Sequence, residues 1–362
     1  MTAFGGPAAH IAMMEHEIVR RRGWLTREQF LDFVGAANLL PGPNSTELAL
    51  HVGRERGGWR GLLIAGAAFI LPSAFLVGVL AWVYVRFGSL PEVTGVLHGV
   101  KPVVIAIMVQ ALWRLGRTAM RSRSLAAIGL AVAVAAGLGA GELLLLAAGG
   151  AVAALLHRGI RAKALPLPLL LLVPGPAAGL AMQGSAVTFS LGTLFVTLLK
   201  IGSVLFGSGY VLLAFLRGDF VERLGWLTGQ QLLDAVAIGQ VTPGPLFTTA
   251  TFIGFLLAGT PGAIVATVAI FLPAFVFVAA SGPLIPRIRR SPTAGAFLDG
   301  VTVASLALMA VVSWQLGREA IADLPTLGIA VAAAAALFAS RVNSAWLILA
   351  GGLLGAAATH AS

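Results

Sequence analysis

Two Pro-Gly-Pro stretches, Pro41-Gly42-Pro43 and Pro243-Gly244-Pro245, interrupt apolar, helix-forming runs of this chain. Each stretch removes two backbone N–H donors and so breaks the helix that contains it. A helix that restarts after a break directs its free N–H groups and the positive end of its dipole at the break. The glycine lets a ligand approach the backbone closely. The stretches therefore predict a pair of anion-binding helix starts, and the alternative is that they are kinks that ease helix packing.

Amide and hydroxyl side chains cluster around both breaks. They can ligate an oxyanion without a fixed protonation state, and the alternative role for each is a hydrogen bond between helices. The flanking residues are Asn38, Asn44, Ser45 and Thr46 in the first half and Gln240, Thr242, Thr248 and Thr249 in the second. Gly5-Gly6 and Gly207-Ser208-Gly209 have the composition of further breaks, and we expect them to contribute to the same anion site.

Two charged residues stand out within the apolar segments. Lys200 lies in the middle of residues 193–205, and a lysine there is by default a functional candidate, with snorkelling to the membrane surface as the alternative. Glu47 falls in the first turn after Pro43, where a negative charge is favourable at the positive end of the helix dipole. Beyond that structural role, we consider Glu47 as a proton-coupling group. Several other charged residues stay open between a functional and an interfacial role, namely Asp32, His98, Lys101, Asp234 and Asp299.

The composition identifies an all-α polytopic membrane protein. Of the 362 residues, 58% are hydrophobic and 10% are charged, whereas about a quarter are charged in a soluble domain. Apolar runs of roughly 15–25 residues, the length that crosses a hydrocarbon core of about 30 Å, recur along the chain. There is no cysteine, which excludes disulfides and thiolate chemistry, and the six histidines form no ligand pair. We therefore expect no metal and no cofactor.

The net charge of +10 comes largely from basic residues in short loops between apolar segments. That distribution is typical of loops that face the cytoplasm and anionic lipid. It indicates contact with a lipid bilayer rather than with nucleic acid.

The hydropathy pattern predicts short helices followed by longer spans. Residues 27–40 form a helix opened by Thr26 that is too short to cross the membrane, and a second short helix to about His51 completes a re-entrant hairpin. The later expected elements are a loop at 54–60, spans at 62–85 (interrupted by Pro72) and 93–112, shorter segments at 125–138 and 143–156, a basic linker at 157–163 and a span at 165–180.

The second half of the chain repeats the first. The two Pro-Gly-Pro stretches lie 202 positions apart, and the same offset relates Gly225-Trp226-Leu227-Thr228 to Gly23-Trp24-Leu25-Thr26. Beyond the stretches the offset is 201, as for Leu272-Pro273 and Leu71-Pro72. We therefore divide the chain into an N-terminal repeat with the basic linker, residues 1–163, and a C-terminal repeat, residues 164–362.

Loop charges indicate that the two repeats are inverted with respect to the membrane. Residues 53–60 carry three arginines, whereas the corresponding residues 254–262 carry no charge. Conversely, residues 287–290 carry three arginines where the first half has only Arg86. Because basic loops face the cytoplasm, the repeats enter the membrane from opposite sides. Inverted repeats with broken helices are a hallmark of secondary transporters that bind substrate near the midplane.

These motifs together resemble the chromate ion transporter family, two-domain type. The resemblance covers nearly the whole chain and is carried by Phe4-Gly5-Gly6-Pro7, Arg21-Arg22-Gly23-Trp24-Leu25, Leu40-Pro41-Gly42-Pro43, residues 200–210 and residues 239–245. It implies a multi-pass protein of the prokaryotic inner membrane that exports chromate and confers resistance, with sulfate as the look-alike substrate. It also implies an antiporter, driven by the proton gradient or membrane potential. Members carry an apolar run before the first motif, so the first helix is expected to be truncated here.

The sequence therefore predicts a secondary transporter that moves a tetrahedral dianion by alternating access. The Pro-Gly-Pro helix starts, the nearby amides and hydroxyls and Lys200 are expected to hold the anion. The alternatives are a carrier of sulfate or another oxyanion, an anion channel, and a membrane-embedded enzyme, for which the chain lacks a nucleophile–base pair. The expected partners are chromate or a sulfate-like oxyanion, the lipid bilayer and a second copy of the chain in a homodimer.

Overall fold

The computed structural model describes residues 6–88, 90–157, 188–206, 209–289, 291–339 and 342–361. All regular secondary structure in these ranges is helical. The first half contains α1 (Gly6–Met14), α2 (Arg27–Ala37), α3 (Asn44–Phe87), α4 (Pro91–Ala119), α5 (Arg123–Gly137) and α6 (Glu142–His157). The second half contains α7 (Leu191–Val204), α8 (Leu212–Leu216), α9 (Gly229–Val241), α10 (Thr249–Arg289), α11 (Pro292–Ala320), α12 (Leu324–Ala339) and α13 (Ser344–Ala361).

Four helices of the described part, α3, α4, α10 and α11, are long and apolar enough to cross a membrane. They confirm the predicted all-α, multi-pass membrane protein. The predicted span at 165–180 and the boundary between the repeats at 163/164 lie outside the described residues.

The two short helices α2 and α9 begin in the same way. The Thr26 hydroxyl accepts a hydrogen bond from the Gln29 amide at 3.2 Å, and the Gln29 side chain accepts one from the Thr26 amide at 3.0 Å. Thr228 and Gln231 make the same capping box at α9. Each box satisfies backbone donors that a helix start leaves free. The prediction that Thr26 opens a helix is confirmed, although the helix ends at Ala37, three residues earlier than predicted.

α3 and α10 each contain one sharp break, at equivalent positions. Gly58 has a φ of +56°, in the left-handed region, and Gly259 has a φ of +59°. The predicted loop at 54–60 is wrong, because helix continues on both sides of the two-residue break at 57–58. The predicted interruption at Pro72 is also wrong, since only residues 57 and 58 of α3 leave the helical region. A proline removes a single N–H from a long membrane helix, which its surroundings tolerate.

The chain turns back on itself around the first Pro-Gly-Pro. The Arg56 guanidinium, at the end of the first part of α3, lies 5.3 Å from the centre of the Trp24 ring, which precedes α2. The two helical segments therefore leave and return to the same end of the molecule. In the second half, the rings of Phe189 and Trp226 are 4.9 Å apart. The chain between them, which includes α7 and α8, likewise forms a hairpin that returns to its starting end.

The hairpins around the two Pro-Gly-Pro stretches start at opposite ends of α3. The second part of α3 begins at Trp59, close to Arg56 and Trp24. It reaches Tyr84 after about 38 Å of helix, and the Tyr84 hydroxyl donates at 2.8 Å to Asp234, in the middle of α9 and six residues before Gln240. We refer to these two ends as the Trp24 end and the Tyr84 end.

The long helices α3 and α10 pack against each other and run antiparallel. Arg54, at the Trp24 end, donates to the carbonyls of Val278 and Ala279 in the later part of α10. The other contacts between the halves are reciprocal, because α4 packs on α12 and α13 while its equivalent α11 packs on α5 and α6. Most buried residues form one core that includes both hairpins of the second half. The hairpins of the first half have a small core of their own, formed by Met14, Ile18, Leu25, Phe30, Leu48 and Val52.

Candidate functional site

Each Pro-Gly-Pro loop packs against the middle of a long helix from the opposite half. Gly244 lies against Ser73, which stands midway between Trp59 and Phe87, about 21 Å of helix from either. Gly42 lies against Ala274, the equivalent of Ser73 in α10. The two loops therefore reach the same central depth of the protein.

Both loop glycines adopt a backbone conformation that other residues rarely adopt. The φ values are +141° for Gly42 and +133° for Gly244. A Cβ atom at Gly42 would collide with Oε1 of Glu47, and one at Gly244 would collide with the Ser73 side chain. The Gly42 amide donates to the carbonyl of Leu205 at 2.7 Å, just after α7. Glycine is thus required at both loops, but the Gly42 amide binds the protein itself rather than being free for a ligand.

The first helix start gathers buried polar atoms. The Pro43 carbonyl accepts from the amides of Thr46 and Glu47, which leaves the amides of Asn44 and Ser45 without an acceptor inside the helix. The side chains of Thr46 and Glu47 are fully buried, and their hydroxyl and carboxylate oxygens have no hydrogen-bond partner among the described residues. Buried groups of this kind are rare in native structures and call for a ligand, ion or water.

Asn38 and Asn44 meet at the tip of the same hairpin. The Asn44 Nδ2 donates to Asn38 Oδ1 at 2.6 Å, while Asn44 Oδ1 is buried without a partner in the described part of the chain. Ser45 is buried beside them, and Asn38 is exposed. The sequence prediction that these residues surround one break therefore corresponds to a real cluster.

The second helix start differs in detail. A 3₁₀ turn, Leu246–Thr248, precedes α10. The Thr248 hydroxyl donates to the Pro245 carbonyl at 2.8 Å and lies 3.2 Å from Ser73 Oγ. Gln240 Nε2 and Thr249 Oγ1 are buried and have no partner in the described ranges, whereas Thr242 donates to the Gly239 carbonyl. This start therefore offers an amide donor and hydroxyls but no carboxylate.

The sequence also predicted Gly5, Gly6, Gly207, Ser208 and Gly209 as part of the anion site. Gly209 begins a 3₁₀ turn and packs against the apolar side chain of Leu246. Gly6 begins α1. Gly5, Gly207 and Ser208 lie outside the described residues.

Lys200 is paired rather than isolated. Its Nζ lies 2.6 Å from Oδ2 of Asp219, and Arg223 Nε lies 2.8 Å from Oδ1 of the same carboxylate. The Lys200 side chain is 34% exposed. Five residues, about 8 Å of helix, separate it from Leu205, which holds Gly42. The sequence interpretation missed Asp219, although its equivalent Glu17 is spaced four residues from Arg21 as Asp219 is from Arg223.

The equivalent cluster in the first half is more exposed. Arg22 donates to Glu17 at 2.6 Å, and Arg21 lies 3.1 Å from the same carboxylate. These hydrogen bonds lower the pKa of Glu17 below its ordinary value, and the bond from Arg22 has the larger effect.

Comparison with known protein families identifies the family to which this chain belongs. The family model described as "Chromate transporter" matches residues 1–155 and 192–356. The chain belongs to the chromate transporter family. The transporter is 34% identical over 336 residues to a probable chromate transport protein of Synechococcus elongatus. The aligned region covers 89% of this chain and 83% of the relative. No solved structure matches the chain.

Two further relatives carry the same name. The transporter is 33% identical over 360 residues to the chromate transport protein of Cupriavidus metallidurans, covering 97% of this chain and 88% of the relative. It is 33% identical over 373 residues to the chromate transport protein of Pseudomonas aeruginosa, covering 98% of this chain and 89% of the relative.

Two residues of the candidate site were not predicted from the sequence. His51 follows Glu47 by one helical turn, is 7% exposed and stacks on Phe33 with ring centres 5.4 Å apart; its Nε2 has no partner in the described residues. Ser73 contacts the second loop, as described above. The spacing of Glu47 and His51 was a usable signal, because residues four apart share a helix face. Ser73 gave no local signal, since its role depends on contact with the opposite half.

Of the charged residues left open, the transporter brings two together. Lys101 Nζ lies 2.9 Å from Oδ1 of Asp234 at the Tyr84 end. His98 Nε2 lies 3.2 Å from Asp323 nearby. Asp32 and Asp299 are exposed, on α2 and α11.

Proposed function

We propose that this transporter carries chromate across the cytoplasmic membrane and out of the cell, with its binding site between the two Pro-Gly-Pro loops. The observation that carries the proposal is the concentration of buried polar atoms that have no partner within the described part of the chain. They lie at two central helix starts, around Thr46 and Glu47 in one half and Gln240 and Thr249 in the other. The relatives named for chromate transport supply the substrate.

The donors for the anion are the amides of Asn44 and Ser45 at the first helix start and the side chains of Gln240 and Thr249 at the second. Neutral donors and a helix dipole stabilise a dianion without requiring a change of protonation. Lys200 contributes at longer range, as one of the two cations that share the carboxylate of Asp219.

Glu47 couples the anion to a proton. Its carboxyl lies beside Gly42, at the positive end of the helix that begins at Asn44, so in its ionised form it repels an anion that approaches the same site. Proton uptake by Glu47 therefore accompanies binding of the dianion. A dianion with one proton carries a net charge of −1, and its outward movement from a negative interior still gains about 2.3 kcal/mol per 100 mV.

The two repeats have inverted topology in this proposal. The proximity of Arg56 to Trp24 at one end and of Tyr84 to Asp234 at the other supports it, as do the three arginines of residues 53–60. The positive charge assigns the Trp24 end to the cytoplasm. Alternating access then exposes the central site to one end at a time.

A flux assay in proteoliposomes tests the function. We expect chromate to move towards the compartment made positive by a potassium–valinomycin gradient, even against its own concentration gradient. At zero potential, an imposed pH gradient should also drive chromate towards the alkaline compartment, because a proton accompanies the anion. Chromate movement that responds to the potential but not to the pH gradient would indicate a channel. If sulfate at the same concentration competes with chromate as well as unlabelled chromate does, the protein is a general oxyanion carrier on the same scaffold.

Substitutions separate the binding role from helix packing. Gln240→Ala and Thr249→Ala should each reduce chromate flux by tenfold or more, the effect of about 1.4 kcal/mol or more. The matched control is Gln110→Ala, because the Gln110 amide donates to the Leu337 carbonyl at 2.6 Å, between α4 and α12. An equal loss in all three variants would show that these side chains merely join helices.

A further inference from the structure

A chain of polar contacts joins the two halves at the Tyr84 end. Asp234 accepts from the Tyr84 hydroxyl at 2.8 Å and lies 2.9 Å from Lys101 Nζ, an ion pair without the alignment of a hydrogen bond. Lys101 donates to Gln230 Oε1 at 2.7 Å, and Gln230 donates to the Glu319 carbonyl at 2.9 Å. The contacts connect α3 and α4 of the first half with α9 and α11 of the second.

The ion pair is buried but borders a cavity. The side chains of Lys101 and Asp234 are 15% and 7% exposed. They line a cavity of about 340 Å³ together with Thr94 and His98. Desolvation nearly offsets the attraction within a buried ion pair. Such a pair can therefore separate at little free-energy cost when water enters the cavity, which suits a contact that must open and close.

The Trp24 end has different residue types at the positions equivalent to Lys101 and Tyr84, namely Thr302 and Ile285. The position equivalent to Lys101 is Thr302, whose hydroxyl donates to the Leu298 carbonyl of its own helix at 2.8 Å. The position equivalent to Asp234 is Asp32, which is exposed. The neighbouring Leu31 of α2 is 53% exposed, whereas its equivalent in α9 is fully buried. The hairpin of the second half is thus packed into the core, and that of the first half is more open.

We propose that Lys101, Asp234 and Tyr84 form a gate that closes the transport path at the Tyr84 end. In this structure the gate is closed, because the Lys101–Asp234 pair is formed. Asp234 lies six residues, about 9 Å of helix, before Gln240, so the gate stands between the site and that surface. The inference rests on the alternating access proposed above. The gate opens when the Lys101–Asp234 pair separates.

Cysteine accessibility tests the gate, since the natural chain contains no cysteine. Asn38→Cys and Gln240→Cys place equivalent reporters at the two hairpin tips. A membrane-impermeant maleimide is added to one side of the membrane at a time. We expect Asp234→Asn to increase labelling of the Gln240 reporter from the Tyr84 side several-fold and to decrease labelling of the Asn38 reporter from the Trp24 side. Asp32→Asn, the matched control, should change neither rate.

The reciprocal change separates a gate from a purely structural contact. Faster labelling at the Tyr84 end without slower labelling at the other end would indicate local loosening and overturn the proposal, as would no change at either end. Tyr84→Phe keeps the ring and removes one hydrogen bond, so it should give the same opposite changes if Asp234→Asn does not fold. Labelling requires no substrate. A protein that fails to carry chromate can therefore still show the gate, and unchanged labelling beside normal chromate flux refutes the gate alone.

Discussion

Gly244→Ala tests whether the second Pro-Gly-Pro loop must pack closely against α3, because the structure indicates how much stability the substitution should cost. A φ of +133° lies where residues other than glycine rarely occur, and forcing alanine into it costs about 1–3 kcal/mol. The added Cβ would also lie 2.5 Å from the Cβ and Oγ atoms of Ser73, and relieving such overpacking costs about 1–3 kcal/mol more. The expected loss of stability is therefore about 2–6 kcal/mol, with the loop displaced from the middle of α3.

Melting temperature in detergent and chromate flux in proteoliposomes are the two measurements. At roughly 2 °C per kcal/mol, the melting temperature should fall by about 4–12 °C. Flux of the folded fraction should fall by about tenfold or more, because the second helix start moves. The control is Gly259→Ala. Gly259 has a φ of +59° but nothing within 4 Å of an added Cβ, so this variant should lose only the backbone part, about 1–3 kcal/mol, and keep its flux.

A double-mutant cycle separates the two sources of the loss. Gly244→Ala is made both in the natural protein and in the Ser73→Gly variant. The loss of stability should be smaller in the Ser73→Gly variant, and the difference is the part that comes from the collision with Ser73. The reasoning is refuted if Gly244→Ala is no more destabilising than Gly259→Ala. It is also refuted if the Ser73 substitution leaves the loss unchanged.

Three other substitutions test the proposed transport mechanism. Glu47→Gln mimics the protonated carboxyl, so it should keep chromate flux and abolish the increase expected for the natural protein as pH falls on the binding side; an unchanged pH profile would exclude Glu47 as the coupling group. Lys200→Ala should reduce flux, because the lysine acts on the anion at longer range, and should lower the melting temperature little, because Arg223 still holds Asp219. Natural flux in this variant would exclude a role for Lys200. Single cysteines at Arg56 and Gly259 should react with impermeant reagents from opposite sides of the membrane, and labelling from one side would contradict inverted topology.

The local features of the fold were predictable from sequence because each acts through its own backbone. Proline and glycine break a helix wherever they stand, and a threonine three residues before a glutamine caps one. The chain breaks at Pro41-Gly42-Pro43 and begins α2 after Thr26 as predicted. The errors were also local. The arginines at 54–60 looked like a loop, whereas two residues suffice for the turn there.

The sequence by itself determined the membrane class, the repeated motifs and the two Pro-Gly-Pro breaks. Only the tertiary structure decided which residues meet: Lys200 with Asp219, Tyr84 and Lys101 with Asp234, and Ser73 with Gly244. Most of these partners lie on helices far apart in the chain. Their contacts depend on how the two halves pack, and no local propensity encodes that packing. For the same reason the sequence suggested a lone cation at Lys200, whereas the folded chain brings a carboxylate to it.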